Sequence, residues 1–191
     1  MTVKHLSAGS DAAPTHPKPV IVGHWVSAYL LLLVFALVLS RELIDDKTAR
    51  TLLLQAHRVA GLLVGGLAIF RLGMRSRLPL AEPATGLALW QRRVSRLTQV
   101  LMYLMLLSLP VLGWLLTNAR GQPVALPLMG SLPVLMERDL DLADTLELVH
   151  TYAAWGLVTL VALHAAAAVW HHRVRRDGVL MAMWPGLRPR T

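Results

Sequence analysis

The chain contains no cysteine. Without thiols it cannot form disulfides, ligate an iron–sulfur cluster through cysteine or attach a c-type haem covalently. Charged residues are also scarce, at 16% of the 191 residues, whereas hydrophobic residues make up 55%. This composition is too apolar for a soluble domain of this length. We therefore expect an integral membrane protein, with the lipid bilayer as a partner.

The formal net charge of +8 does not by itself indicate a nucleic-acid partner. The basic residues occur in short runs between apolar segments, as in the cytoplasmic loops of membrane proteins, and we expect no nucleic-acid binding. The first residues are rich in proline and lack the apolar core of a signal peptide. We therefore expect a flexible cytoplasmic tail over residues 1–19, a transmembrane domain over residues 20–172 and a basic cytoplasmic tail over residues 173–191.

Four apolar stretches are each long enough to cross a bilayer, which takes roughly 20 helical residues. They cover residues 20–40, 51–70, 97–117 and 148–170. Lipid offers the backbone no hydrogen-bond partner, so each stretch is expected to be a helix. The predicted fold is all-α, an integral membrane four-helix bundle.

The loop charges predict the orientation of the bundle. Thirteen basic residues lie before the first stretch, between the second and third, and after the fourth, against five on the other side, where eight acidic residues accompany them. The positive-inside rule places both termini in the cytoplasm. The connection over residues 118–147 is then external, and we expect it to be partly helical, with a mildly amphipathic run at 126–136.

Four histidines lie within the predicted spans, where polar groups are costly and are candidates for function. Residues His150 and His164 are fourteen positions apart, which leaves about 40° of offset around a helix and a rise of about 21 Å. They therefore share one face at two depths. With the orientation above, His24 lies at the inner level with His164, and His57 lies at the outer level with His150.

Each level thus holds two imidazoles from different helices, which is what a haem iron with two axial histidines requires. We predict two stacked b-type haems in the bundle core, the inner one on His24 and His164 and the outer one on His57 and His150. Gly61 and Gly65 follow His57 by one and two turns on its face and are expected to make room for a haem plane. Ordinary close packing of helices is the alternative explanation for these glycines.

Other roles for the histidines remain open at this point. A single intramembrane histidine can simply bond to a neighbouring helix. Zinc is disfavoured because it needs three or four ligands around one ion, and these histidines are split between two levels. At the inner level His171, seven residues after His164 on the same face, is an alternative ligand. Residues His171 and His172 are otherwise expected near headgroups or haem propionates.

Several motifs resemble those of the bacterial cytochrome b561 family, over roughly residues 23–185. The similarity rests on HW at 24–25, HRVAG at 57–61, LPVLGW at 109–114, ARGQP at 119–123 and LHAAAAVWHH at 163–172. The resemblance implies haem ligation at His24, His57, His150 and His164. It also implies a multi-pass protein of the bacterial inner membrane and single-electron transfer between a periplasmic-side donor and membrane quinone.

Two functions follow from the resemblance. The first is an enzyme, a superoxide oxidase that takes electrons from superoxide and reduces ubiquinone. The alternative is a cytochrome b subunit that passes electrons between a hydrogenase- or dehydrogenase-type redox protein and quinone. A haem-free structural bundle is a third hypothesis, and the lack of inverted repeats disfavours a transporter. An iron with two histidine ligands has no open position, so outer-sphere electron transfer is expected in either haem protein.

The arginines bear on the choice of donor and acceptor. The outer loops carry a net charge of −3, which disfavours an anionic substrate unless a local positive patch surrounds the entry. Candidates for such a patch are Arg58, Arg120, Lys47 and Arg50, although Arg58 is equally placed to pair with a haem propionate. At the inner level Arg71, Arg96 and Arg173 are candidates to anchor quinone, with contact to lipid headgroups as the alternative role.

Overall fold

The computed structural model describes residues 15–79, 88–127, 129–184 and 186. Four long helices dominate it: α1 (Lys18–Glu42), α2 (Lys47–Arg77), α3 (Leu89–Ala119) and α4 (Leu140–Trp170). A π-helical turn, His171–Arg175, follows α4, and two short antiparallel strands, β1 (Ala125–Leu126) and β2 (Gly130–Ser131), lie between α3 and α4. Most of the expected N-terminal tail and the last five residues of the C-terminal tail lie outside the described residues.

All four helices are long and apolar enough to cross a membrane, which confirms the predicted spans. Helices α2 and α4 begin before their apolar stretches because an aspartate caps each N-terminus within polar sequence. Asp46 accepts a hydrogen bond from the Ala49 amide at 2.7 Å to start α2. Asp139 does the same for the Leu142 amide at 3.0 Å, so α4 begins two turns before residue 148.

The connection between α3 and α4 is partly helical, as expected, because residues 140–147 form the first turns of α4. The described residues of the amphipathic run, 126–127 and 129–136, instead form the β1–β2 hairpin and irregular chain. Gly130 adopts a φ of 83°, and prolines interrupt the segment, so a helix cannot continue there. The buried side chain of Asn118 fixes this connection to the end of α3. Its Nδ2 donates to the Gln122 carbonyl at 3.1 Å, and its Oδ1 accepts from the Leu135 amide at 2.9 Å.

The helices pack in chain order, α1 on α2, α2 on α3 and α3 on α4. A small core of Val64, Ala68, Leu106, Leu109 and Leu157 joins the last three. Within the part of the chain that the structure describes, no Cα atom of α4 comes within 8 Å of α1 or α2. A seam therefore runs along the bundle between α4 on one side and α1 and α2 on the other.

The segment after α4 folds back onto the start of α1. The Trp25 indole donates to the Met183 carbonyl at 2.9 Å and its ring lies 5.1 Å from that of Trp184. The His16 amide donates to the Ala182 carbonyl at 3.1 Å. This end of the bundle is thus covered by the segment that follows α4.

Candidate functional site

The structure brings the four intramembrane histidines together in two pairs. The ring centres of His24 and His164 are 6.2 Å apart with an angle of 69° between the planes. Those of His57 and His150 are 6.4 Å apart at 75°. These are the same pairs that the rise along each helix predicted. We call them the inner pair and the outer pair, after the expected orientation.

In each pair, the two histidines face each other across the seam. Helix α4 contributes His150 and His164, while α2 contributes His57 and α1 contributes His24. The backbones on the two sides of the seam stay apart. The imidazoles approach each other across it, as do Phe35 of α1 and Trp155 of α4. This arrangement suits a flat group held between helices.

The spacing of each pair fits a shared iron. Bonds from a metal to an imidazole nitrogen are about 2 Å long. A ring nitrogen lies about 1 Å from the centre of its ring. Two imidazoles on opposite sides of one iron therefore have their centres about 6 Å apart, close to the observed 6.2 and 6.4 Å. Among the described residues no group of three or more histidine, cysteine or acidic side chains could hold one ion.

The hydrogen bonding of the outer pair also suits metal ligation. The Nδ1 atom of His57 lies 2.9 Å from the Val34 carbonyl oxygen. A carbonyl only accepts, so Nδ1 carries the proton and Nε2 keeps a free lone pair, the usual arrangement of a ligating histidine. The Nδ1 atom of His150 is buried, and the backbone of Leu109 is its nearest hydrogen-bonding group.

A cavity of about 330 Å³ lies between the helices at the outer pair. Both histidines line it, together with Gly61 and mainly apolar side chains from all four helices. A Cβ atom added at Gly61 would meet nothing within 4 Å, so this glycine borders open space. At Gly65 an added Cβ would lie 3.0 Å from Pro110 Cγ. The expectation that Gly65 makes room for a haem plane is wrong, because α3 packs on it directly.

Arginines surround the mouth of this cavity. Arg58 and Arg120 line it as expected, and so does Arg41, which the sequence analysis missed. The other two members of the expected patch do not: Lys47 lies elsewhere, and Arg50 reaches Glu42 at 3.8 Å.

The mouth arginines differ in their partners. Arg120 pairs with Glu147, and Arg41 pairs with Glu42 at 3.2 Å. Arg58 instead donates to the neutral side-chain oxygen of Gln122 at 2.8 Å. Its charge is therefore left available to an anion at the mouth.

A different cation borders the inner pair. Nη2 of Arg71 lies 3.2 Å from Nδ1 of His24, and its guanidinium carbon lies 5.7 Å from the centre of the Tyr103 ring. Since a guanidinium only donates, Nδ1 of His24 accepts here and Nε2 carries the proton. Unlike His57, His24 must therefore change its tautomer and lose this contact before Nε2 can bind a metal. The other two inner arginines, Arg96 and Arg173, are exposed.

The remaining histidines are not part of either pair. The Nδ1 atom of His171 lies 2.6 Å from Asp177, which also receives Arg175 Nε at 3.6 Å. His171 therefore stabilises the turn after α4 through Asp177. Of the two candidates for the inner level, His164 is the one that faces His24. His172 is half-buried in the same turn. His5 lies outside the described residues.

Comparison with known proteins agrees with this geometry. Residues 15–186 match the family described as prokaryotic cytochrome b561. The chain belongs to that family. It is therefore a multi-pass protein of the bacterial inner membrane, from a family of haem b proteins that transfer electrons.

Three relatives are informative. Cytochrome b561 homolog 1 of Escherichia coli is 26% identical to this b561 chain over 170 residues, which is 88% of the chain and 96% of the relative. Homolog 2 of the same organism is 25% identical over 163 residues, 84% of the chain and 86% of the relative. A protein of Yersinia pestis named "Probable superoxide oxidase CybB" is 36% identical over 87 residues, 45% of the chain and 48% of that protein.

Proposed function

We propose that this b561 protein is a superoxide oxidase: it takes electrons from superoxide at the outer face and delivers them to ubiquinone. Two superoxide ions lose one electron each and become dioxygen, and one quinone gains two electrons and two protons to become quinol. The observation that carries the proposal is the pair of histidine sites stacked along α4. The partial similarity to a protein named as a superoxide oxidase supports this choice of donor.

In this proposal each histidine pair binds one haem b, His57 with His150 and His24 with His164. Haems bound in this way supply one-electron carriers without an open coordination position. The protein supplies the rest. The Val34 carbonyl orients the His57 ring. Gly61 has no side chain to occupy the cavity, and the mainly apolar lining keeps water away from the outer pair. Fourteen residues of α4 set the two levels about 21 Å apart.

The arginines at the cavity mouth have the charge that a small anion needs. Arg58 has a neutral partner, so it adds positive potential to the cavity that the outer pair lines. Glu42 and Glu147 offset the charges of the other two arginines at the mouth. We propose that Arg58 attracts superoxide to the mouth or holds a haem propionate there, in both cases next to His57.

The test uses purified protein without any partner. Superoxide is generated enzymatically, ubiquinone reduction is followed optically, and superoxide dismutase is added in the control. We expect quinone reduction that the dismutase abolishes. Arg58→Gln should lower the rate constant several-fold and weaken its dependence on salt, because a charge at the entry steers the anion. Arg138→Gln, which removes a charge from the α3–α4 connection and does not line the cavity, should have little effect.

The outcomes separate the two functions. A protein that contains two haems but reduces no quinone with superoxide is not a superoxide oxidase. The family's electron transfer then requires another donor, and the net negative outer loops favour a positively charged redox protein that docks there.

A further inference from the structure

Exposed arginines form a basic surface at the end of the bundle where α3 begins and α4 ends. The start of α3 supplies three of them and the turn after α4 supplies two: Arg92, Arg93, Arg96, Arg173 and Arg176. We call these five residues the basic surface. Nη1 of Arg175 donates to Oε1 of Gln91 at 3.4 Å, so the two segments that carry the basic surface are neighbours.

The charges of the basic surface are not neutralised by the protein. Within the described part of the chain, no acidic side chain forms an ion pair with any of the five arginines. The one acidic residue that the structure describes at this end is Asp177, which lies 2.6 Å from His171 and 3.6 Å from Arg175. Positive charges gathered in this way create a potential that attracts anions.

The exposed face of α3 continues from the basic surface into the apolar part of the helix. Leu97, Val100 and Leu104 follow Arg93 by four, seven and eleven residues, so the four side chains share one face. The three apolar side chains are 59%, 50% and 58% exposed. Trp90 at the start of the same helix is also exposed, and tryptophan favours the headgroup level of a membrane. The helix thus presents cations at its start and an apolar row beyond them.

An anion that carries a hydrocarbon chain matches both parts of this face. Helix α3 is long and apolar enough to cross a membrane, so its exposed apolar row faces acyl chains while its first turns lie near the headgroups. A nucleic acid or an acidic protein could meet the arginines but not the apolar row.

We propose that the basic surface binds the phosphate headgroup of an anionic phospholipid, with one acyl chain along Leu97, Val100 and Leu104. Basic residues beside a membrane helix attract anionic lipids in this way. The site lies apart from the cavity at the outer pair. The proposal depends on neither a haem nor a particular electron donor or acceptor.

The experiment is native mass spectrometry of the purified full chain in detergent, titrated with phosphatidylglycerol or with zwitterionic phosphatidylcholine of the same acyl chains. We expect one phosphatidylglycerol to bind about tenfold more tightly than phosphatidylcholine. Arg93→Gln combined with Arg96→Gln should lower this preference about fivefold or more, because each basic residue near a membrane surface adds to the attraction of anionic lipid. Arg93→Lys keeps the charge and should change the preference by less than about threefold.

The matched control combines Arg75→Gln with Arg77→Gln. It removes the same charge from the same end of the bundle, at exposed positions of α2, and should leave the preference within about twofold of the wild type. Equal losses in the two double variants overturn the proposal, because the effect then comes from the net charge alone. A wild-type chain without a preference for phosphatidylglycerol also overturns it. Displacement of the bound lipid by inorganic phosphate at equal concentration does the same, since the site then binds an anion without using the acyl chain.

Discussion

The cavity at the outer pair is large enough for its filling to dominate the stability of the bundle. Its volume is about 330 Å³. At about 24 cal/mol per Å³ of unfilled space, leaving it empty costs up to about 8 kcal/mol. The net stability of a whole domain is about 5–15 kcal/mol. We therefore expect variants without the outer haem to be far less stable than the wild type, unless something else fills the space.

Two variants that both lose the outer haem test this reasoning. Gly61→Leu places a side chain in the open space beside His57, and His57→Ala removes a ligand and enlarges the hole. The leucine gains about 1.5–3 kcal/mol by burial, and replacing glycine in a helix gains up to about 1 kcal/mol. Each variant should contain one haem per chain, with Gly61→Leu more stable than His57→Ala by about 2–4 kcal/mol.

Haem content is measured by extraction, and stability by thermal unfolding in detergent. The matched control is Gly66→Leu. An added Cβ also meets nothing within 4 Å there, but this glycine is exposed on the outside of the bundle. It should keep both haems. If Gly61→Leu also keeps both haems, or if His57→Ala is the more stable of the two, the cavity is not the site of the outer haem.

Three further predictions follow from individual contacts. His164→Ala should lose the inner haem alone, leaving one haem per chain with the spectrum of the outer site. Burial, with a smaller contribution from a nearby arginine, lowers the pKa of His16 below 6.5. The imidazole therefore takes up a proton more readily when this contact is broken, as the pH falls below about 6.5. The contact of residues 15–17 with residues 182–184 should weaken over that range. The measurement is a change in tryptophan fluorescence, which His16→Gln should lack. Gly65→Ala presses on Pro110 and should lower the stability by about 1–3 kcal/mol in thermal unfolding, with both haems retained.

Much of the architecture could be predicted because lipid leaves the backbone few choices. An apolar run of membrane length must be a helix, and the constant rise per residue then fixes which histidines share a depth. That is enough to pair His24 with His164 and His57 with His150 before any contact is known. The ends of the helices could not be predicted in the same way, because capping by Asp46 and Asp139 extends them into polar sequence.

The features that depend on neighbouring helices could not be predicted. Gly61 and Gly65 share a face of α2, yet one borders a cavity and the other lies under Pro110, because the position of α3 decides between them. The hairpin depends on Asn118, which binds an amide 17 residues further on. The contact of Arg71 with His24 joins residues 47 positions apart, and sequence reasoning placed this arginine only near the inner level.

The place of α4 in the two pairs has a consequence for assembly in the cell. Each pair takes one histidine from α4, the last of the four helices to be synthesised. A chain that ends after α3 holds His24 and His57 without opposing imidazoles, so neither site is complete until translation has passed residue 164. With the proposed haem sites, haem capture by this protein is a late event in biogenesis, because neither site is complete before α4 has been made.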